Sequence, residues 1–218
     1  SNKLRSTTSY TGPEGEEKSE RIFSYDVSGG FKSTTIFINN SFNDALIKST
    51  TYRENITGNP AVGAIRKSET FYLGPEGEEK AKATLEYNSA GALKSTTIFG
   101  YAADGRLLNS TVYRRAATSP TDSFDSATHV FTQGNSTIRS RSGYTGLEGE
   151  EKIDKTYNFD ALGLNIKTIT KFTYDGPNTD GRLLHSTTTR NTVHAAIQSA
   201  SDPTAEILAA DAAPLSAM

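Results

Sequence analysis

One seven-residue phrase occurs three times in this chain. Gly12-Pro13-Glu14-Gly15-Glu16-Glu17-Lys18 returns as Gly74-Pro75-Glu76-Gly77-Glu78-Glu79-Lys80, and again as Gly146-Leu147-Glu148-Gly149-Glu150-Glu151-Lys152, at spacings of 62 and 72 residues. Self-similarity at such a period marks a repeat architecture, in which each unit is one supersecondary element that buries its surface against its neighbours. Whatever this chain folds into must therefore be built from one local solution used three times.

The segments around the phrase supply that solution. A Ser/Thr-rich run ending in Tyr precedes each copy, at 4–10, 66–72 and 138–144. An aromatic run, a short Gly turn and a second Ser/Thr run follow it, as in 22–26, 27–30 and 31–37. The second run recurs at 93–99 and 166–172, and a third, at 46–53, 107–114 and 183–190, closes each unit. β-Branched Thr and aromatic residues suit a pleated surface, while Gly, Asp and Asn suit the turns between. Each unit is predicted to be an antiparallel meander of about four short strands. In the 31–37 strand, alternation sets Phe31, Ser33, Thr35 and Phe37 on one face against Lys32, Thr34 and Ile36 on the other, and neither face is strongly apolar.

The expected fold class is all-β: three tandem antiparallel β-meander repeats stacked into an elongated sheet, a solenoid or a sandwich, with a short helical or flexible C-terminal tail. The divisions read from the pattern are 1–64, 65–137, 138–192 and an Ala-rich tail at 193–218, the first three forming one continuous repeat domain. Within the tail, Asp202-Pro203 offers an N-cap and a Pro at the first helical position, followed by about two turns of helix formers. Looser stretches at 54–64 and 116–135 read as connections or edge elements. Leu, Ile, Val and Phe number 42 of 218 residues, about a fifth, so the core is expected to be thin.

At its hairpins the sequence resembles the YD repeats of RHS-type bacterial surface and toxin-delivery proteins, whose unit runs aromatic-x-Tyr-Asp-x-x-Gly-Arg-Leu and closes on Thr. Five segments carry the resemblance: Phe23-Ser24-Tyr25-Asp26 with Gly29 and Thr34; Leu85-Glu86-Tyr87-Asn88 with Gly91, Leu93 and Thr96; Tyr101 with Asp104-Gly105-Arg106-Leu107 and Thr111; Tyr157-Asn158-Phe159-Asp160 with Gly163; and Tyr174-Asp175 with Asp180-Gly181-Arg182-Leu183 and Thr187. What it implies is wrapped antiparallel sheet on an extracellular or envelope-associated bacterial protein. In the turn, Asp or Asn accepts a backbone N–H and Gly takes the positive φ. The Gly-Pro-Glu-Gly-Glu-Glu-Lys phrase lies outside that unit.

Composition excludes several classes of function. With 23 basic against 25 acidic residues and a net charge of −2, there is no Lys/Arg stripe for a nucleic-acid partner. The absence of Cys removes disulfides, thiolate nucleophiles and Cys-ligated zinc. No window reaches the roughly 18 apolar residues of a membrane span. The chain opens at Ser1 and its one Met is Met218, so a processed product of a longer precursor is expected. His129, His185 and His194 lack metal-ligand spacing, and no Gly-x-Ser-x-Gly elbow or phosphate-binding Gly loop occurs.

The glutamates at 14, 16 and 17, with their copies at 76, 78 and 79 and at 148, 150 and 151, admit three roles: paired carboxylates for acid–base work, oxygen ligands for calcium, or the charged edge of a turn. A catalytic pair is needed once, whereas a turn recurs in every repeat, so the turn is expected, with Pro at its second position. No catalytic, cofactor-binding or metal-binding residue is assigned and no cofactor is expected. The anticipated function is non-enzymatic: a structural repeat protein of a bacterial surface or extracellular filament, secreted and self-associating through strand edges into a homo-oligomer or polymer. The alternative is a monomeric adhesin or carbohydrate-binding module, with Tyr10, Tyr52, Tyr72 and Tyr113 as exposed rings for stacking on glycans.

Overall fold

In the computed structural model the described residues are 3–115, 123–125, 130–132, 134–176 and 181–190. Every regular element among them is a strand, and the chain divides into two compact units, Ser1–Gly100 with Val112–Ser136 and Tyr101–Thr111 with Thr137–Met218. The Ala-rich tail at 193–218 and its expected helix lie outside the described residues, as do His129, His194 and Asp180.

The first unit holds β1 (Ser6–Thr11), β2 (Lys18–Tyr25), β3 (Phe31–Asn39), β4 (Leu46–Tyr52), β5 (Arg66–Leu73), β6 (Lys80–Tyr87) and β7 (Leu93–Tyr101). They lie side by side in sequence order as an open antiparallel sheet. Most of β8 (Leu107–Arg114) belongs to the second unit, where it is followed in the sheet by β11 (Thr137–Thr145), β12 (Lys152–Phe159), β13 (Ile166–Tyr174) and β14 (Leu183–Arg190). Between β8 and β11, β9 (Ser123–Asp125) and β10 (Val130–Thr132) pair as a separate short hairpin. The all-β, antiparallel expectation holds, and strands expected at 107–114 and 183–190 have those bounds.

The sheet is held in register by hydroxyls as much as by apolar surface. Facing threonines bond across neighbouring strands, Thr35 to Thr51 at 2.9 Å, Thr70 to Thr84 at 3.1 Å and Thr170 to Thr188 at 2.8 Å, and Ser142 meets Thr156 at 2.9 Å. Each such pair contributes roughly 0.2–1 kcal/mol. Among the described residues the buried apolar side chains gather in two small clusters, Phe71, Ala83, Leu85 and Tyr87 in the first unit and Tyr157, Phe159 and Ile166 in the second, with Ala45 buried apart from them. Ser33 and Thr34 point to opposite faces of β3, yet both are buried. The connection after β4 explains Thr34: its hydroxyl donates to Glu54 O at 2.9 Å and accepts from Ile56 N–H at 3.1 Å. Glu54 then accepts the Ile65 N–H on its carboxylate at 3.0 and 3.1 Å, pinning the far end of the same connection.

The hairpin turns behave as their residues require. Asp26 Oδ1 accepts the N–H groups of Ser28 and Gly30, both at 2.8 Å, and Asn88 Oδ1 accepts those of Ala90 and Ala92. Asp160 Oδ1 does the same for Leu162 and Leu164. The hydroxyl of Ser28 and the turn amides hold the Asp26 carboxyl below the usual carboxylate range, and the Asn165 side chain does so for Asp160.

Candidate functional site: the repeated acidic turn

In all three copies the Gly-x-Glu-Gly-Glu-Glu-Lys phrase makes one turn. Glu16 N–H donates to Pro13 O, Glu78 N–H to Pro75 O and Glu150 N–H to Leu147 O, each at 3.0 Å. Pro therefore occupies the first position of the turn, one place earlier than its spacing suggested. The correction follows from Gly15, Gly77 and Gly149, whose φ of +86°, +81° and +81° is the left-handed geometry of the third position of a type II turn. This register also accounts for Leu147, because the first position does not need the fixed φ of proline. The leading glycine is required for another reason: a Cβ on Gly12, Gly74 or Gly146 would meet the carbonyl oxygen of Glu16, Glu78 or Glu150 at 2.7–2.8 Å.

The last glutamate of each phrase folds back on its own turn. Gly15 N–H donates to Glu17 Oε2 at 3.0 Å, Gly77 N–H to Glu79 Oε2 at 2.9 Å, and Gly149 N–H to Glu151 Oε2 at 3.0 Å. The second carboxylate oxygen reaches outward. Glu79 Oε1 accepts the N–H of Leu46, the first residue of β4, and Glu151 Oε1 accepts the N–H of Leu107, the first residue of β8, both at 2.8 Å. The Leu46 amide, first among several donors, holds the Glu79 carboxyl below its ordinary range. Each of these glutamates thus ties its turn to the start of a strand from the preceding sequence copy.

Two further bonds accompany this clasp. Ser49 on β4 bonds the Tyr72 hydroxyl, and Ser110 on β8 bonds the Tyr144 hydroxyl, both at 3.1 Å. Lys18 Nζ, from the first copy, reaches the Glu76 carboxylate of the second at 2.7 Å while donating to Asp44 O at 3.1 Å. The Glu76 bond raises the Lys18 pKa. These carboxylates are engaged in structural contacts, and among the described residues no group of three or more His, Cys, Asp or Glu is placed to hold a metal ion.

Beside the first turn lies an open polar groove of about 730 Å³, with Thr11, Glu17, Lys18, Asn39, Asp44 and Glu76 among its walls. Of the four tyrosines expected to be exposed, only Tyr10 is, at 62%; Tyr52, Tyr72 and Tyr113 are half-buried.

The sequence pattern gave no sign of a buried ionic knot on β5. Glu69, 6% exposed, accepts from Arg66 Nη1 and from the Tyr87 hydroxyl, both at 2.6 Å, and Lys48 Nζ stands 3.6 Å from its other oxygen. Arg66 also lies over the Tyr87 ring, 4.5 Å from its centre. The corresponding positions in the other two sequence copies are Thr7 and Arg141, so no repeat signal could have revealed the knot.

No family model and no curated protein matches the chain. Among solved structures, a protein of unknown function from Bacteroides fragilis aligns at 15% identity and a TM-score of 0.30, over 62% of this chain and 91% of that one. The TcdB2-TccC3-Cdc42 complex aligns at 12% identity and a TM-score of 0.36, over 81% of this chain but 8% of that one. A porin-like protein from Bacteroides uniformis aligns at 10% identity and a TM-score of 0.19, over 84% of this chain and 93% of that one. Similarity at these scores transfers neither an activity nor a partner, and among the described residues no helix is long and apolar enough to cross a membrane.

Proposed function

We propose that this chain is a non-enzymatic structural repeat module of a bacterial surface or extracellular filament, and that it associates with its own copies through strand edges. The observation that carries this reading is β14. All eight of its residues are exposed, and among the described residues it is paired along one side only, to β13. An unpaired row of backbone N–H and C=O groups is a template for another strand, and the usual blunting devices are sparse here. Along β14 the sequence Leu-Leu-His-Ser-Thr-Thr-Thr-Arg holds no proline and no lysine. The engagement of the last glutamate of each phrase in turn bonds, and of Glu79 and Glu151 in clasp bonds, favours a structural role for them over a catalytic one.

Light scattering across concentration, paired with negative-stain electron microscopy of the purified chain, tests the proposal. Growing mass and regular filaments are the expected result, and removal of residues 1–10 should abolish them while leaving a soluble β-rich monomer. A monomer at every concentration would refute self-association. It would shift weight to a monomeric adhesin or carbohydrate-binding module, a second reading favoured by exposed Tyr10, which lies next to Thr11 on the wall of the polar groove.

A further inference from the structure

The clasp that joins one sequence copy to the next is complete twice within the chain, and its two halves remain at the outer strands. Glu17 holds its own turn through Oε2, as Glu79 and Glu151 do, but among the described residues nothing donates to its Oε1. Leu183 stands where Leu46 stands. It is the first residue of its strand, it sits opposite the last residue of the preceding strand beyond a register shift, and the residue before it accepts the bond that closes the hairpin. Tyr10 is the counterpart of Tyr72 and Tyr144, and Ser186 that of Ser49 and Ser110.

Resting on the self-association proposed above, we propose that copies join head to tail, β14 of one against β1 of the next, by repeating this internal clasp. The register follows from the β4–β5 pair, where Ser49 faces Thr70 and Lys48 faces Phe71. Across the joint, Ser186 then faces Thr8 and His185 faces Ser9. Leu183 N–H donates to Glu17 Oε1, and the Ser186 hydroxyl meets that of Tyr10. Charge is complementary as well. Lys152 donates to Gly181 O at 3.1 Å, as Lys18 donates to Asp44 O. Lys18 also pairs with Glu76, and the matching partner of Lys152 is Glu14 of the next copy. The occupant is thus a second copy of this chain: its edge carries the same Glu, Tyr and hydroxyl-bearing residues, in the same order, that the internal joints use.

Because the chain contains no cysteine, single replacements report the joint directly. The full-length variants Ser186→Cys and Thr8→Cys are mixed and oxidised at a concentration where scattering shows association. Facing positions of an antiparallel pair come close enough for a disulfide or a short bifunctional reagent. The expected product links one variant to the other, with little linkage of either to itself and little between Thr188→Cys and Thr8→Cys, two residues out of register. Tyr10→Phe, a change at an exposed ring, should weaken association about fivefold, the loss of one hydrogen bond. Association without the selective Ser186–Thr8 link overturns the head-to-tail register and leaves self-association standing. A chain that stays monomeric overturns both, since its edges must then be covered by something other than a second copy.

Discussion

Tyr87→Phe isolates the buried ionic knot on β5 and β6. The substitution removes one hydroxyl and leaves the ring, so the apolar cluster with Phe71, Ala83 and Leu85 stays filled and Arg66 keeps its place over the aromatic face. What disappears is a 2.6 Å bond to Glu69, and both residues are buried, at 8% and 6% exposure. A hydrogen bond to a charged group contributes about 1.5–3 kcal/mol. Glu69 retains Arg66 at 2.6 Å and Lys48 at 3.6 Å, so the loss should fall at the lower end, about 1.5–2 kcal/mol. Urea unfolding followed by circular dichroism measures it as a lower midpoint at unchanged slope. The same substitution placed on Glu69→Gln should cost about 1 kcal/mol less, because the bond it removes there is between neutral groups. A loss under about 0.5 kcal/mol, within the scatter of surface changes, would refute the claim that the hydroxyl is held by a buried carboxylate.

Other outcomes follow from the turns and from titration. Gly74→Ala brings a Cβ within 2.7 Å of Glu78 O at a φ of +133° and should destabilise by about 1–3 kcal/mol, whereas Leu147→Pro, which restores the residue of the other two copies, should be neutral or add about 0.4–1 kcal/mol; both are read by urea unfolding. Asp26, Glu79 and Asp160 have folded-state pKa values depressed by the bonds they accept. Their contribution is present above the unfolded carboxyl value of about 4 and is lost as pH falls through the lower folded values, so the thermal midpoint should drop steeply on acidification, and less steeply in Asp26→Asn. At the other extreme, burial and then the bond to Glu69 raise the Tyr87 pKa. That contribution is complete below the unfolded tyrosine value of about 10 and declines as pH climbs above it, and the decline should shrink in Tyr87→Phe.

What the sequence alone determined is the part governed by local chemistry. The Ser/Thr and aromatic runs specified strands because their side chains suit a pleated surface wherever it forms. Asp26, Asn88 and Asp160 specified hairpin turns because a carboxylate or amide oxygen bonds amides two and four residues on, within the same short segment. Even the position of each acidic turn was legible, although its register was not: choosing between Pro13 and Gly12 as its first residue needed the sign of φ at Gly15, which neighbouring residues leave open. The contacts across sequence copies were decided only by tertiary structure. Nothing near Glu79 in the chain indicates that its second oxygen reaches Leu46, 33 residues earlier, or that Glu69 has Lys48, Arg66 and Tyr87 around it. Those partners are selected by which strands lie side by side and by their register, in which a slip of one residue turns every side chain to the other face, and such information exists only once the sheet has assembled.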